Sequence, residues 1–185
     1  HEGGFRGNRS HAECVLLFPR RAVHAGDINA VATFRELGTR LLDEHVLFDV
    51  LPDDLAGPAR LKRYTRVYRT DSETRSQQAS TSRFQAPYTV RVSASRPAGG
   101  NGLALHFVNY NRPEPPRASN GTPSAGGGIQ DEKPIAVEGV RADLVLPAGL
   151  KVRRAEALLP ERSKPVPLDW RQQKNRVQFE VPRFL

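Results

Sequence analysis

Few residues in this sequence combine the types and spacing that chemistry requires. His24 and Asp27 are three positions apart, so an imidazole and a carboxylate could together bind a metal ion or transfer a proton. The segment 19–26 around this histidine lacks the glycine spacing of a phosphate-binding loop. The single cysteine, Cys14, lies in the apolar run 14–18, which favours a buried thiol over a nucleophile. We interpret His24 as a surface residue and Asp27 as a helix cap.

Length and composition limit the function classes further. The chain has 185 residues, with 28 Lys or Arg against 20 Asp or Glu, for a net charge of +8. One cysteine excludes an internal disulfide framework and a multi-cysteine zinc site, and no motif for a cofactor is present, so we predict none. No apolar run approaches the ~18 residues of a membrane span. The sequence starts at His1 and contains no methionine, so we expect that residues upstream have been removed or are missing.

The positive charge is concentrated in the second half of the chain. Residues 1–75 hold 12 basic and 11 acidic side chains, whereas residues 76–185 hold 16 and 9, which gives +1 and +7. The block Lys151, Arg153 and Arg154 is the place to look for contacts with phosphate groups. A strand there would divide these side chains between two faces, and no aromatic platform accompanies them. The sequence therefore argues against nucleic-acid binding.

Apolar patterns in the first half predict alternating strands and helices. The run 14–18 predicts a buried strand, and helical spacing after Asp27 predicts a helix up to His45. A second strand at 46–51, a short helix through Tyr64 and a third strand at 66–69 follow. Alternation of this kind places the strands parallel in one sheet. It corresponds to half of a doubly wound fold.

Ligands of such sheets bind beyond the carboxyl ends of the strands. In this chain that position is close to Arg20, Arg21, His24, Asp53 and Asp71. We keep Arg20, Arg21 and His24 as candidate ligand-binding residues. They define a location and not an activity.

The second half changes to a period of two. Alternation at 88–92 and 103–107 predicts an antiparallel hairpin, and strands are predicted again at 135–137, 140–146, 152–158 and 177–181. Short strands at even spacing are typical of a β-sandwich. The only tryptophan, Trp170, could stack against a sugar, but a single Trp among such strands more often fills a core or an edge.

Three segments of the chain, two in the first half and one in the second, resemble segments of a known protein family. VLLFPRRAVHAGD (15–27), FRELGTRLLDEHVLFDVLPDDL (34–55) and LHFVNYNR (105–112) resemble the parts that follow the catalytic barrel in bacterial beta-galactosidase-like glycoside hydrolases. In those enzymes the barrel carries two carboxylates and is followed by a flavodoxin-like trimerisation domain, which is related to glutamine amidotransferases. A small β-sandwich comes last.

The end of the chain is similar to that terminal sandwich, in VRADLVLPAGLKVRRAEALLPE (140–161), VPLDW (166–170) and NRVQFEVPRF (175–184). The sequence departs from the family in two ways. The trimerisation domain should continue for several strands beyond 66–70, and the barrel that would carry the acid and the nucleophile is absent.

The resemblance implies no catalytic residue in this chain. Retaining glycosidases need two carboxyl groups ~5 Å apart across the scissile bond. The adjacent pairs Asp43-Glu44, Asp53-Asp54 and Asp131-Glu132 are explained by a helix, a cap and a loop respectively. No cysteine follows the third strand, where an amidotransferase-like nucleophile would lie.

These observations predict an α/β plus all-β chain. A polar segment 1–12 precedes a partial flavodoxin-like α/β unit at 13–70, a linker at 71–82 and a β-sandwich at 83–185 with a mobile loop at 112–130. Our leading hypothesis is a non-catalytic assembly or accessory portion of a carbohydrate-active enzyme. It would act as a homo-oligomer or with a missing catalytic barrel, and it could contact carbohydrate.

An alternative hypothesis is an independent binding module that holds an acidic polysaccharide or nucleic acid on a basic sandwich face. A third hypothesis is a hydrolase that is active by itself, and the lack of a suitable carboxylate pair disfavours it. We expect a soluble protein without a membrane span. Export with a removed leader would fit the start at His1.

Overall fold

A parallel three-stranded sheet with helices forms the first part of the chain. The computed structural model describes residues 7–70, 81–98, 100, 102–112 and 134–185. The elements of this first part are β1 (Arg9–Ser10), β2 (Cys14–Phe18), α1 (Arg20–His24), α2 (Asn29–Asp43), β3 (Phe48–Pro52), a 3-10 helix (Asp53–Leu55), α3 (Pro58–Leu61) and β4 (Arg66–Tyr68). Strand β2 is central and pairs in parallel with both β3 and β4. The predicted parallel α/β unit is therefore confirmed.

Strand β2 is buried because side chains cover both faces of it. Leu16 lies close to Gly38 of α2, and the Phe18 ring meets the Phe34 ring edge to face at 5.2 Å. Val15 and Leu17 form a second cluster with Tyr64 on the other face. A central parallel strand is buried in this way on both sides, which explains its continuous apolar run.

The connection between β2 and α2 differs from the prediction. Residues 20–24, for which no helix was predicted, form the short helix α1 with His24 as its last residue. Asp27 does cap the next helix, since its Oδ1 accepts hydrogen bonds from the N–H groups of Asn29 and Ala30 at 3.0 and 3.3 Å. The short helix was missed because the start of this segment carries no side-chain cap.

Antiparallel sheets form the second part of the chain. Its strands are β5 (Arg83–Gln85), β6 (Val90–Arg96), β7 (Ala104–Asn109), β8 (Arg141–Val145), β9 (Glu156–Ala157), β10 (Val166–Pro167), β11 (Trp170–Gln173) and β12 (Arg176–Glu180). One sheet has the order β1-β6-β7, another has the order β11-β12-β8-β5, and β9 pairs with β10. The predicted hairpin is confirmed as β6 and β7.

Two predicted strands are much shorter in the structure. The strand predicted at 135–137 is reduced to a single bridge between Val137 and Phe184. The strand predicted at 152–158 is reduced to β9. Strands β1, β5, β10 and β11 were not predicted, because segments of two to four residues are too short to show a period.

Both large antiparallel sheets contribute to one hydrophobic core. Val90 and Val92 of β6 belong to the same buried cluster as Ala142 and Leu144 of β8. Leu47, which immediately precedes β3 in the α/β unit, is also buried in this cluster. The α/β plus β-rich class is thus confirmed, and the sandwich arrangement stays a prediction.

The predicted domain boundaries stay a prediction. Strand β1 lies in the segment predicted as polar, 1–12, and pairs with β6 of the β-rich part. Most of the predicted linker lies outside the described residues, since these do not include 71–80. The same is true of most of the predicted mobile loop, since they do not include 113–133. Among the helices that the structure describes, none is both long and apolar enough to cross a bilayer.

Candidate functional site

A cleft of about 330 Å³ lies at the carboxyl ends of the parallel strands, where the sequence predicted a ligand site. The start of α2 and the segments that follow β2, β3 and β4 contribute to it. Its lining residues are Leu17, Pro19, Ala22, Asp27, Asn29, Ala30, Thr33, Asp53, Arg69 and Thr70. Two carboxylates and one guanidinium are therefore the charged groups of the cleft.

The two aspartates after β3 hold α1 in place. Asp54 accepts hydrogen bonds from the guanidinium of Arg20, with an Nε to Oδ2 distance of 3.0 Å. This contact with Arg20 keeps the pKa of the Asp54 carboxyl below its ordinary value. Asp53 accepts a longer hydrogen bond from the backbone N–H of Arg21, at 3.3 Å. Both carboxylates thus have a structural role, and neither makes the side-chain cap that the sequence predicted.

The predicted ligand-binding residues of this region are only partly brought together. Arg20 is committed to Asp54, while Arg21 and His24 are exposed on α1 and do not line the cleft. Asp71 lies outside the described residues. Arg69, which the sequence analysis did not select, lies at the cleft and is exposed. Its position as the last residue of the third predicted strand, at the carboxyl end, was the signal that could have identified it.

The basic block of the second half lies on an irregular segment and not on a strand. Lys151, Arg153 and Arg154 are all exposed, and Arg154 is 3.4 Å from Glu156. The expectation that a strand divides these side chains between two faces is wrong. The three cations therefore remain accessible together on one stretch of chain.

A glutamine side chain explains why no strand forms there. The Gln172 side chain accepts a hydrogen bond from the N–H of Val152 at 2.9 Å and donates one to the carbonyl of Leu150 at 3.1 Å. These backbone groups are satisfied by an amide side chain in place of a neighbouring strand. The apolar alternation at 152–158 is present in the sequence, but it does not produce a continuous ladder.

Trp170 packs toward the protein core. It is directly opposite Phe179 on the neighbouring strand, and both rings pack against the buried cluster of the antiparallel sheets. Trp170 is only half-buried, so it also closes the edge of the sheet formed by β11.

A second and larger groove, of about 1050 Å³, lies over the sheet β11-β12-β8-β5. Eight polar residues line it, seven at alternate positions of the four neighbouring strands and Asp169 directly before β11, and the apolar residues between them also border it. We call them the polar grid: Arg83, Gln85, Arg141, Asp143, Asp169, Arg171, Gln178 and Glu180. Because side chains alternate along a strand, these residues share the face opposite to the row Phe84, Ala142, Phe179 and Trp170.

The strand register sets the neighbours within the polar grid. Asp143 is opposite both Arg83 and Gln178, and Gln178 is in turn opposite Arg171. In the next row Arg141 is opposite both Gln85 and Glu180. This surface could not be predicted from the sequence, because without β5 the register across the sheet was unknown.

A metal centre has no support in the part of the chain that the structure describes. No group of three His, Cys, Asp or Glu side chains there is close enough to hold a metal ion. The spacing of His24 and Asp27 therefore does not extend to a third ligand within these residues.

The chain, a parallel α/β unit joined to antiparallel sheets, was compared with known proteins, and one distant structural neighbour was found. No family model and no curated protein matches the sequence. Among solved structures, alpha-L-fucosidase isoenzyme 2 from Paenibacillus thiaminolyticus matches with a TM-score of 0.39 and 19% identity, over 56% of this chain and 14% of the fucosidase chain. A TM-score of this size does not define a shared fold.

Proposed function

We propose that this chain is a non-catalytic assembly or accessory portion of a carbohydrate-active, beta-galactosidase-like glycoside hydrolase. The observation that carries the proposal is the strand order β3-β2-β4 of the parallel sheet. This order corresponds to the first three positions of the flavodoxin-like order 2-1-3-4-5. The next described strand, β5, belongs to the antiparallel sheet, so the described part of the parallel unit ends where a full flavodoxin-like sheet would continue.

The carboxylates support a structural role. Asp43 forms an ion pair with Arg91 at 2.9 Å, which joins α2 to β6, and Asp54 forms one with Arg20. Each of these groups is therefore committed to a partner that fixes its position. Asp131 and Glu132 lie outside the described residues. The described members of the adjacent acidic pairs do not supply the two facing carboxyl groups that a retaining glycosidase needs.

The parallel sheet offers edges for assembly. Within the described residues, β3 and β4 each pair only with β2, so each has one edge without a neighbouring strand. Val50 on the edge strand β3 is 50% exposed, and an apolar side chain on an open edge favours association. The partner would be a second copy of the chain or the catalytic barrel of the parent enzyme.

Light scattering of the purified chain tests assembly through this edge. We expect self-association that Val50→Lys weakens, because a charged side chain on an edge strand opposes pairing. Val108→Lys is a matched control, since Val108 is 46% exposed on β7, an edge strand of the antiparallel part. A monomeric wild-type chain that also fails to bind a beta-galactosidase-like barrel would contradict the proposal.

An activity measurement tests the non-catalytic part. We expect no turnover of aryl galactosides above the buffer rate. Turnover that disappears on substitution of a single Asp or Glu would contradict the proposal and establish a hydrolase.

One observation favours a second candidate function, the binding of an acidic polysaccharide or nucleic acid. Lys151, Arg153 and Arg154 are exposed together on one irregular segment. Exposed cations on one segment can contact successive phosphate or sulfate groups. The salt dependence described in the Discussion separates this function from the first.

A further inference from the structure

We infer that the polar grid binds an uncharged, hydroxyl-rich ligand, namely a neutral oligosaccharide. The choice of a glycan rests on the proposed function, because a carbohydrate-active parent supplies ligands of this class. The position and the electrostatics of the groove are independent of that proposal. They come from the register of the four strands and from the charges that line them.

The charges of the polar grid are nearly balanced. Three guanidinium groups, on Arg83, Arg141 and Arg171, stand beside three carboxylates, on Asp143, Asp169 and Glu180. Arg176 pairs with Asp143 at 2.9 Å and adds a fourth guanidinium, so the net charge of this surface is +1. A surface with so little net charge gains little from the counterion release that drives polyanion binding. The grid therefore favours a neutral ligand over heparin or nucleic acid, in contrast to the basic segment at 151–154.

The grid places hydrogen-bond donors next to acceptors. Guanidinium groups only donate, carboxylates only accept, and the amides of Gln85 and Gln178 do both. A hydroxyl group also donates and accepts, so neighbouring hydroxyls of a sugar can bridge adjacent donors and acceptors of the grid. An apolar ligand could form no hydrogen bonds with these groups.

The ion pairs of the polar grid differ in how firmly they hold its charged groups. The Nε of Arg141 lies 3.7 Å from the Oε2 of Glu180, which is longer than a hydrogen bond. The two side chains are 68% and 62% exposed. Asp143 is fixed by Arg176 through its Oδ1 at 2.9 Å. Arg141 and Glu180 are thus free to reorient toward a ligand, while Asp143 is preorganised.

The dimensions fit a short chain of sugars. The groove crosses four strands, and three steps between strands span about 14 Å. The groove volume of about 1050 Å³ exceeds what one sugar would fill. Trp170 borders the groove, but its half-buried ring packs against the core cluster, so we expect recognition to depend on hydrogen bonds more than on stacking.

Titration calorimetry with neutral tetrasaccharides tests the inference. The probes are β-1,4-galactotetraose and cellotetraose, and heparin at ~0.15 M salt is the polyanion comparison. We expect at least one tetrasaccharide to bind and heparin not to bind at the grid. Arg141→Ala and Gln178→Ala should each weaken binding about tenfold, the loss expected for one good hydrogen bond to a charged or polar group.

Arg162→Ala is the matched control, because Arg162 is an exposed arginine on a turn outside the groove. It should leave the affinity unchanged. Thermal unfolding of each variant verifies that the fold is intact. Both grid positions are exposed, so we expect all three variants to fold.

Three results would overturn the inference. The first is no heat of binding and no NMR shift with either tetrasaccharide at millimolar concentration. The second is binding that neither grid variant changes. The third is heparin binding at ~0.15 M salt that Arg141→Ala removes. Each of these results leaves the Val50→Lys assembly test untouched, so failure of the glycan site is distinguishable from failure of the proposed function.

Discussion

Ser82 donates two hydrogen bonds to the carboxylate of Glu13, although the two residues are 69 positions apart. The backbone N–H of Ser82 reaches Oε2 and its hydroxyl reaches Oε1, each at 2.7 Å. The same hydroxyl accepts a hydrogen bond from the N–H of Val145 at 2.8 Å. This chain of contacts joins the start of β2 to the last residue of β8, and so connects the α/β unit to the antiparallel part.

Removal of the Glu13 side chain should destabilise the protein. Glu13→Ala leaves the buried N–H of Ser82 without an acceptor, which costs about 2 kcal/mol of unfolding free energy. Urea denaturation monitored by circular dichroism measures this loss. Glu13→Gln keeps an acceptor for Ser82 and is expected to lose less, so equal losses in the two variants would contradict this role.

Glu13 should also make stability depend on pH. Burial raises the pKa of its carboxyl above 4.5, although Ser82 and Arg176 oppose the shift. The folded protein then binds the proton more tightly than the unfolded chain, so the contribution of this group increases as pH falls through the raised pKa. The unfolding free energy of wild type relative to Glu13→Gln is expected to rise between pH 7 and about pH 4. A flat difference over this range would show that the carboxylate is not desolvated.

His11 should make the stability of the protein fall, and not rise, as the pH is lowered. Burial and the charge of Arg96 lower the pKa of its imidazole below 6.5, while a hydrogen bond to the backbone of Val145 opposes this shift. The unfolded chain then binds the proton more tightly, so stability is lost as pH falls through 6.5. His11→Gln should reduce this loss when urea denaturation is compared at pH 7.5 and at a pH below the lowered pKa. If the variant loses as much stability as wild type, His11 is not the group responsible.

The Cys14 thiol should be unreactive in the folded protein. Burial, with a contribution from the charge of Glu13, raises its pKa to about 11, although Arg66 and Tyr68 oppose the shift. The thiolate is the reactive form and is therefore scarce at pH 8. Ellman's reagent is expected to detect no thiol in native protein and one thiol in guanidinium chloride. Rapid labelling of the native protein would mean that β2 opens readily.

The basic segment should bind polyanions only weakly. Three cations can release only a few counterions, so heparin or duplex DNA should bind at low salt and dissociate near 0.15 M, about the physiological ionic strength. The triple variant Lys151→Ala, Arg153→Ala and Arg154→Ala should remove this binding in a salt titration. Micromolar affinity at ~0.15 M salt that the triple variant removes would favour the binding module over the assembly function.

Local patterns in the sequence were sufficient to predict a helix or strand where that element is long or uniformly apolar. The run 14–18 predicted β2, the helical spacing after Asp27 predicted α2, and the alternation on either side of residues 97–102 predicted the β6 and β7 hairpin. Each of these patterns reports which faces of one element are buried. That information is contained in consecutive residues.

Contacts between distant segments were decided only by the tertiary structure. The pairing of Arg20 with Asp54 depends on how α1 packs beside the 3-10 helix, and the amide of Gln172 replaces a strand that alternation alone would have formed. The polar grid depends on β5, a strand of three residues, and on a register that sets Asp143 beside Arg83 and Gln178. Register is a property of paired strands, and a shift of one residue would turn every grid side chain to the other face. The sequence by itself therefore determined the α/β and β-rich character of the chain, whereas long-range pairing decided which of its polar side chains share a surface.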